Sequence, residues 1–276
     1  LRVWLDWVRA LPFALSPRNW LVFWGALALA VLVKGPILPM VLAITVMGLS
    51  IRERGVTWLG SLNSRKGLLI LLGVVLPWFL AITWKSGGSF FAESVGKDML
   101  GKVAEGQEKH GAPPGFYALA FFGTFWPAAP LAAMAAPFAW MNRRDPAVLF
   151  LLLWIVPSWL IFEAVPTKLP HYVLPLYPAV AGLMLLAVAR GGIDVRRRGA
   201  MAVAGLLVLI PALLLVGIGI GGWMLDRTLP YTALPGLVVS LGLTIWALRA
   251  FRASAFDTML WRGVAAAVLA SISVYG

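Results

Sequence analysis

Nine apolar blocks separated by short charged gaps leave this chain little freedom in how it folds. They run at about 20–33, 37–50, 67–84, 116–140, 147–162, 173–189, 200–222, 233–248 and 263–276. Several reach 17 residues or more, close to the ~20 that a helix needs to cross a ~30 Å hydrocarbon core. Lipid offers no solvent for unpaired backbone groups, which rules out open strands and exposed irregular segments. The expectation is therefore all-α: one transmembrane domain over 1–276, a polytopic bundle of about 8–9 membrane segments.

The gaps carry a second pattern. Their net charges run +2 before the first block, +1 at Lys34, +3 over 51–66, 0 over 85–113, +1 over 142–145, 0 over 163–172, +3 over 190–199, 0 over 223–231 and +2 over 249–262. Every second gap is more basic than its neighbours. Lys and Arg retained in short cytoplasmic loops produce such alternation. Lys34, the 85–113 loop and the 163–172 loop are thereby expected on the external face.

Composition excludes the other broad classes. A chain that is 61% hydrophobic, 12% charged and carries 14 tryptophans is no ordinary soluble domain. Its net charge of +12 is spread along loop flanks instead of clustering on one surface, so nucleic acid is not an expected partner. Cysteine is absent, which removes disulfides and thiolate chemistry. Residues 1–19 alternate Trp, Leu and Val with Arg and Asp, as an interfacial segment would. The last apolar block, read from Gly263, is about 14 residues long and rises only ~21 Å, too short to cross. With no initiating Met, the chain reads as an internal piece of a longer multi-pass protein, incomplete at both ends.

Two details shape the bundle. One long helix over 20–50 would put basic segments on both sides of the membrane, so two short helices meeting externally at Lys34-Gly35-Pro36 fit better, Pro36 opening the second. Lys34 then reads either as a functional lysine near the positive end of a helix or as a snorkelling one. Prolines inside the blocks (Pro77, Pro127, Pro130, Pro157, Pro175, Pro178, Pro211 and Pro235) invite kinks and a cavity-bearing bundle.

The scarce polar chemistry falls in the two external loops. Near its end the first reads Glu105-Gly106-Gln107-Glu108-Lys109-His110, placing carboxylates, an amide and an imidazole just before a span; carboxylate and imidazole are the usual proton carriers. A solvated polar loop is the plain alternative. Glu105, Glu108 and His110 could also ligate a metal, although no recognised ligand spacing is present. In the second, prolines frame Lys168-Leu169-Pro170-His171-Tyr172. Lys168 offers a point charge suited to phosphate, His171 a donor or acceptor, and Tyr172 an amphipathic ring. Glu163, costly if unpaired near a span end, is expected to find a partner such as Lys168. No Gly-rich phosphate loop, His-Glu-x-x-His or Gly-x-Ser-x-Gly motif exists, so phosphate contact would come from side chains at the membrane surface.

Three segments, Leu32-Val33-Lys34-Gly35-Pro36, the run from Gln107 through His110 and Pro113-Pro114 to Tyr117, and the run from Thr167 to Pro175, resemble the bacterial relatives of the aminoarabinose transferase of lipid A and, more distantly, the protein O-mannosyltransferases. Each motif is weak alone; order, spacing and shared side make the set specific, up to about Arg190. The resemblance implies a GT-C type membrane domain in the bacterial inner membrane with periplasmic loops 85–113 and 163–172. It implies transfer of a sugar from a polyprenyl (undecaprenyl) phosphate donor to a lipid, glycan or protein acceptor, with inversion. Lys34 and Lys168 would contact the lipid phosphate. Gln107 would shape the pocket with His110 and Glu108, the candidate catalytic groups of this chain, and His171 and Tyr172 would line its rim. The family's presumed catalytic carboxylate lies in an earlier external loop, upstream of this chain. No cofactor is certain and a divalent metal is possible. A transporter or flippase of a lipid-linked or anionic substrate is the alternative, though no inverted repeat is visible.

Overall fold

The computed structural model describes residues 17–91, 112–227 and 231–275, and the elements found there are helical. In chain order the helices are α1 (Pro17–Lys34), α2 (Ile37–Glu53), α3 (Ser64–Ser86), α4 (Phe116–Thr124), α5 (Ala129–Met134) and α6 (Ala136–Met141). They continue with α7 (Pro146–Ala164), α8 (Tyr177–Ala189), α9 (Ala200–Asp226), α10 (Ala233–Arg252) and α11 (Phe256–Tyr275). Two 3-10 turns, Thr57–Leu62 and Pro170–Leu176, join α2 to α3 and α7 to α8. Contacts cluster into two compact units, one of Leu1–Phe116 with Asp145–Ala179 and one of Tyr117–Arg144 with Val180–Gly276.

Among the described residues six helical stretches are long and apolar enough to cross a membrane: Ser64–Ser86, Pro146–Ala164, Pro170–Ala189, Ala200–Leu225, Ala233–Arg252 and Phe256–Tyr275. Shorter apolar helices lie at Trp20–Lys34 and Ala129–Met141. Their surfaces are apolar all round. On α3, Leu69, Leu76, Leu80 and Trp84 point outward and are exposed. Helices clothed on every side in large apolar residues suit hydrocarbon, not water.

In the first unit, 20–50 is indeed two helices. α1 stops at Lys34, Gly35 takes φ +65° with its N–H donating to the Val31 carbonyl at 2.8 Å, and Pro36 caps α2. A left-handed residue after the last turn is a common helix stop. α1 and α3 pack closely at Gly67, where an added Cβ would run into the Trp24 indole. That indole donates to the Leu62 carbonyl at 2.8 Å. α2 meets α7 where Gly48 faces Leu153. The start of α7 is fixed by Asp145, whose carboxylate accepts from the Ala147 and Val148 N–H groups at 3.0 and 3.2 Å, with Pro146 at the first helical position.

In the second unit, the apolar block 116–140 is three short helices. Pro127, Pro130 and Pro137 cannot supply the N–H groups a continuous helix needs, and the Trp126–Pro127 bond is cis. Trp126 anchors the break by donating to the Leu207 carbonyl of α9 at 2.8 Å. α10 and α11 pair through small residues: Ser240 donates to the Ala266 carbonyl at 2.8 Å, and Gly236 lies against Ser273. Close backbone approach of this kind drives helix association in lipid.

α11 corrects the sequence reading of the last block. It starts at Phe256, not near Gly263, and its 20 residues suffice to cross. Arg262 had marked a false boundary. Its guanidinium lies 3.6 Å from the Trp246 ring centroid and donates to the Trp246 carbonyl at 3.1 Å, so the charge is accommodated within the helix pair.

Candidate functional site

The polar residues of the first unit lie at the two ends of its helices. Trp24 and Leu62 tie the early part of α1 to the start of α3, so Arg65 and Lys66 lie toward one end. Lys34, at the far end of α1, lies within electrostatic reach of His171. The turn between α1 and α2 and the turn between α7 and α8 therefore share an end, although 137 residues separate their key groups in sequence.

Local sequence builds the second turn. α7 ends where Val165 becomes extended ahead of Pro166, as a residue before proline prefers. Proline then opens the 3-10 turn at Pro170 and recurs at Pro175, where a carbonyl freed from helical pairing accepts the Trp154 indole N–H at 3.2 Å. Val173 and Leu176 are fully buried and fasten the turn to the unit. This leaves His171 exposed and its ring edge-on to Tyr172, centroids 5.0 Å apart at 89°.

Lys168 is the most informative residue of the set. It is only 5% exposed, and Thr167 beside it 1%. Its ammonium donates to the Val165 carbonyl at 2.9 Å, the one partner found for it among the described residues. An ammonium carries three donors, and a buried cation with so little compensation is costly unless an anion approaches. The side chain is therefore not a snorkelling one directed to solvent. Glu163 is paired differently from the expected contact with Lys168: its carboxylate accepts from the Gly115 N–H at 3.1 Å. That bond pins the chain entering α4 to the end of α7.

Of the residues singled out from sequence, the structure brings Lys34, Lys168, His171 and Tyr172 to one end. Gln107, Glu108 and His110, with Glu105 and Lys109, lie outside the described residues. No group of three or more His, Asp or Glu that could hold a metal occurs among the described residues. Sequence reasoning had not singled out Gly115 or Trp154, which position the turn through main-chain bonds. A Gly following Pro-Pro and a Trp three residues before a helical proline were the available signals, and neither specifies a partner.

This multi-pass helical arrangement has counterparts among known proteins. The crystal structure of ArnT from Cupriavidus metallidurans bound to undecaprenyl phosphate matches with a TM-score of 0.69 at 18% identity, over 96% of this chain and 50% of that one. The chain thus has the helical membrane fold of that structure. In sequence it is 28% identical over 256 residues to an undecaprenyl phosphate-alpha-4-amino-4-deoxy-L-arabinose arabinosyl transferase of Enterobacter sp. (strain 638), covering 87% of this chain and 42% of that protein. A Sodalis glossinidius (strain morsitans) transferase of the same name is 32% identical over 213 residues, covering 74% and 37%. No protein-family profile matches. The protein is a multi-pass membrane protein related to these arabinosyl transferases, and the chain spans less than half the length of those relatives.

Proposed function

We propose that this chain is the central, donor-binding membrane part of an inner-membrane glycosyltransferase. The enzyme moves a sugar from undecaprenyl phosphate to an acceptor, lipid A in the first instance, on the periplasmic face. The near-buried Lys168, whose ammonium has a single carbonyl partner among the described residues, carries this reading. A lipid-linked phosphate at the membrane surface is the anion that would complete its surroundings. Lys34 contributes a second cation beside His171.

The chemistry follows from charge. The acceptor oxygen attacks the anomeric carbon, a new C–O bond forms there, and the bond to the phosphate oxygen breaks with inversion. Undecaprenyl phosphate leaves with an added negative charge. Cations fixed in advance where that charge develops lower the barrier. The acceptor proton goes to a base; His110 and Glu108 are the candidates within this chain, with Gln107 shaping the pocket, while His171 and Tyr172 line its rim. The basic gaps at 51–66 and 190–199 face the cytoplasm in this orientation.

The test uses the complete protein in liposomes with an undecaprenyl-phosphate-linked aminoarabinose donor. Lys168→Ala and Lys34→Ala should each lower transfer roughly 10- to 150-fold, since a charge-assisted contact contributes ~1.5–3 kcal/mol. Lys168→Arg should recover only in part, because a planar fork replaces a compact ammonium. Donor binding without any transfer by the wild type would favour a transporter. Wild-type rates in both alanine variants would remove the phosphate assignment.

A further inference from the structure

The second unit holds a cavity of about 640 Å³ that the donor site does not use. Its lining is mostly apolar, with Met134 and Phe138 among it, and also includes Arg190, Arg197, Arg198 and Asp194.

The turn that carries these arginines is fixed by its own backbone. Asp194 is engaged locally: its carboxylate accepts from the Arg196 N–H at 2.8 Å and its carbonyl from the Arg197 N–H at 3.4 Å. Gly192 packs directly on the Phe138 ring, where a Cβ would collide, so the floor is held under the turn. Arg197 and Arg198 are exposed, and their guanidiniums have no acceptor among the described residues. The start of α9 meets the end of α10 through a core of Ala200, Ala204, Ala247, Ala250 and Phe251. The cavity therefore opens at the helix ends, the depth of lipid headgroups in a membrane.

We propose that this cavity binds an anionic phospholipid, its phosphate on Arg197 and Arg198 and its glycerol and first acyl carbons on the apolar floor. Guanidinium forks match phosphate oxygens in pairs. Basic pockets between helices at the headgroup level are suited to such lipids. A free phosphate would satisfy the arginines and leave the Met134 and Phe138 surface uncovered, so the lipid is the better fit. The site requires only that the chain lie in a membrane. It does not depend on the donor reading, and transfer activity is not its readout.

Native mass spectrometry of the full chain in detergent tests this, with cardiolipin and phosphatidylethanolamine added in equal amounts. The double variant Arg197→Gln/Arg198→Gln should bind cardiolipin about tenfold more weakly or worse, the loss expected for a charge-assisted contact. Arg249→Gln/Arg252→Gln, which removes equal charge at the same end outside the cavity lining, should shift it less than about twofold. Ala133→Phe keeps every charge and fills the cavity, and should lose cardiolipin too. Phosphatidylethanolamine binding should stay unchanged throughout. Arg198→Gln alone, at an exposed position, serves if the double variant does not fold. Equal losses in both double variants, undiminished binding in Ala133→Phe, or displacement by millimolar inorganic phosphate would each overturn the proposal.

Discussion

Replacing Gly67 by alanine should loosen the pairing of α1 and α3, and the structure gives the size of the effect. The new methyl would occupy the position of the Trp24 indole, not of a flexible chain end. The ring has to move, and its 2.8 Å bond to the Leu62 carbonyl goes with it. Overpacking costs typically ~1–3 kcal/mol, and a lost hydrogen bond about 0.5–1.5 more. Against this stands a gain of up to about 1 kcal/mol from placing Ala instead of Gly in a helix. The net expectation is ~1–3 kcal/mol of destabilisation. Titration with a denaturing detergent, followed by circular dichroism of the purified protein, measures it. In a Trp24→Leu background the clash disappears, so Gly67→Ala should there be neutral or stabilising, a coupling of at least about 1 kcal/mol. If Gly67→Ala were as stable as wild type, or cost the same in both backgrounds, the close packing of α1 on α3 through Trp24 would be refuted.

Other expectations are more direct. In this cysteine-free chain, a cysteine at Ser86 should react with a membrane-impermeant maleimide added outside intact cells, while one at Arg197 should react only after permeabilisation; the reverse would invert the topology. Asp145→Ala should cost about 1 kcal/mol, because two N–H groups at the start of α7 lose their acceptor, and an unchanged detergent-unfolding midpoint would contradict the cap. His110→Ala should depress transfer in the complete protein without loss of expression, whereas Lys109→Ala should do less; near-wild-type rates in both would make that loop a solvated one. Lys168→Ala and Lys34→Ala, measured in the same transfer assay, complete the set.

The kind of element was legible without coordinates. A run of 16 or more apolar residues in lipid can satisfy its backbone only as a helix, so α3, α7, α9 and α10 follow from hydropathy alone. So did the break at Lys34-Gly35-Pro36, since charge, glycine and proline each act locally. The alternating charge of the gaps also sorted the chain's ends into two groups, and the electrostatic reach of Lys34 to His171 agrees with that sorting in the first unit.

What depended on distant residues was not legible. Hydropathy began the last block only after Arg262, because only the partner helix offers that guanidinium a tryptophan face and a carbonyl. It merged 116–140 into one block, because the indole of Trp126 finds its acceptor 81 residues away. It paired Glu163 with Lys168 by proximity in sequence, whereas the carboxylate takes the Gly115 N–H and the ammonium turns back to Val165. The burial of Lys168 was equally invisible. Composition and period fix what a segment is, through forces acting within one helix and between it and the solvent. Which groups are left wanting a partner is decided by packing between helices, and that is a property of the tertiary structure alone.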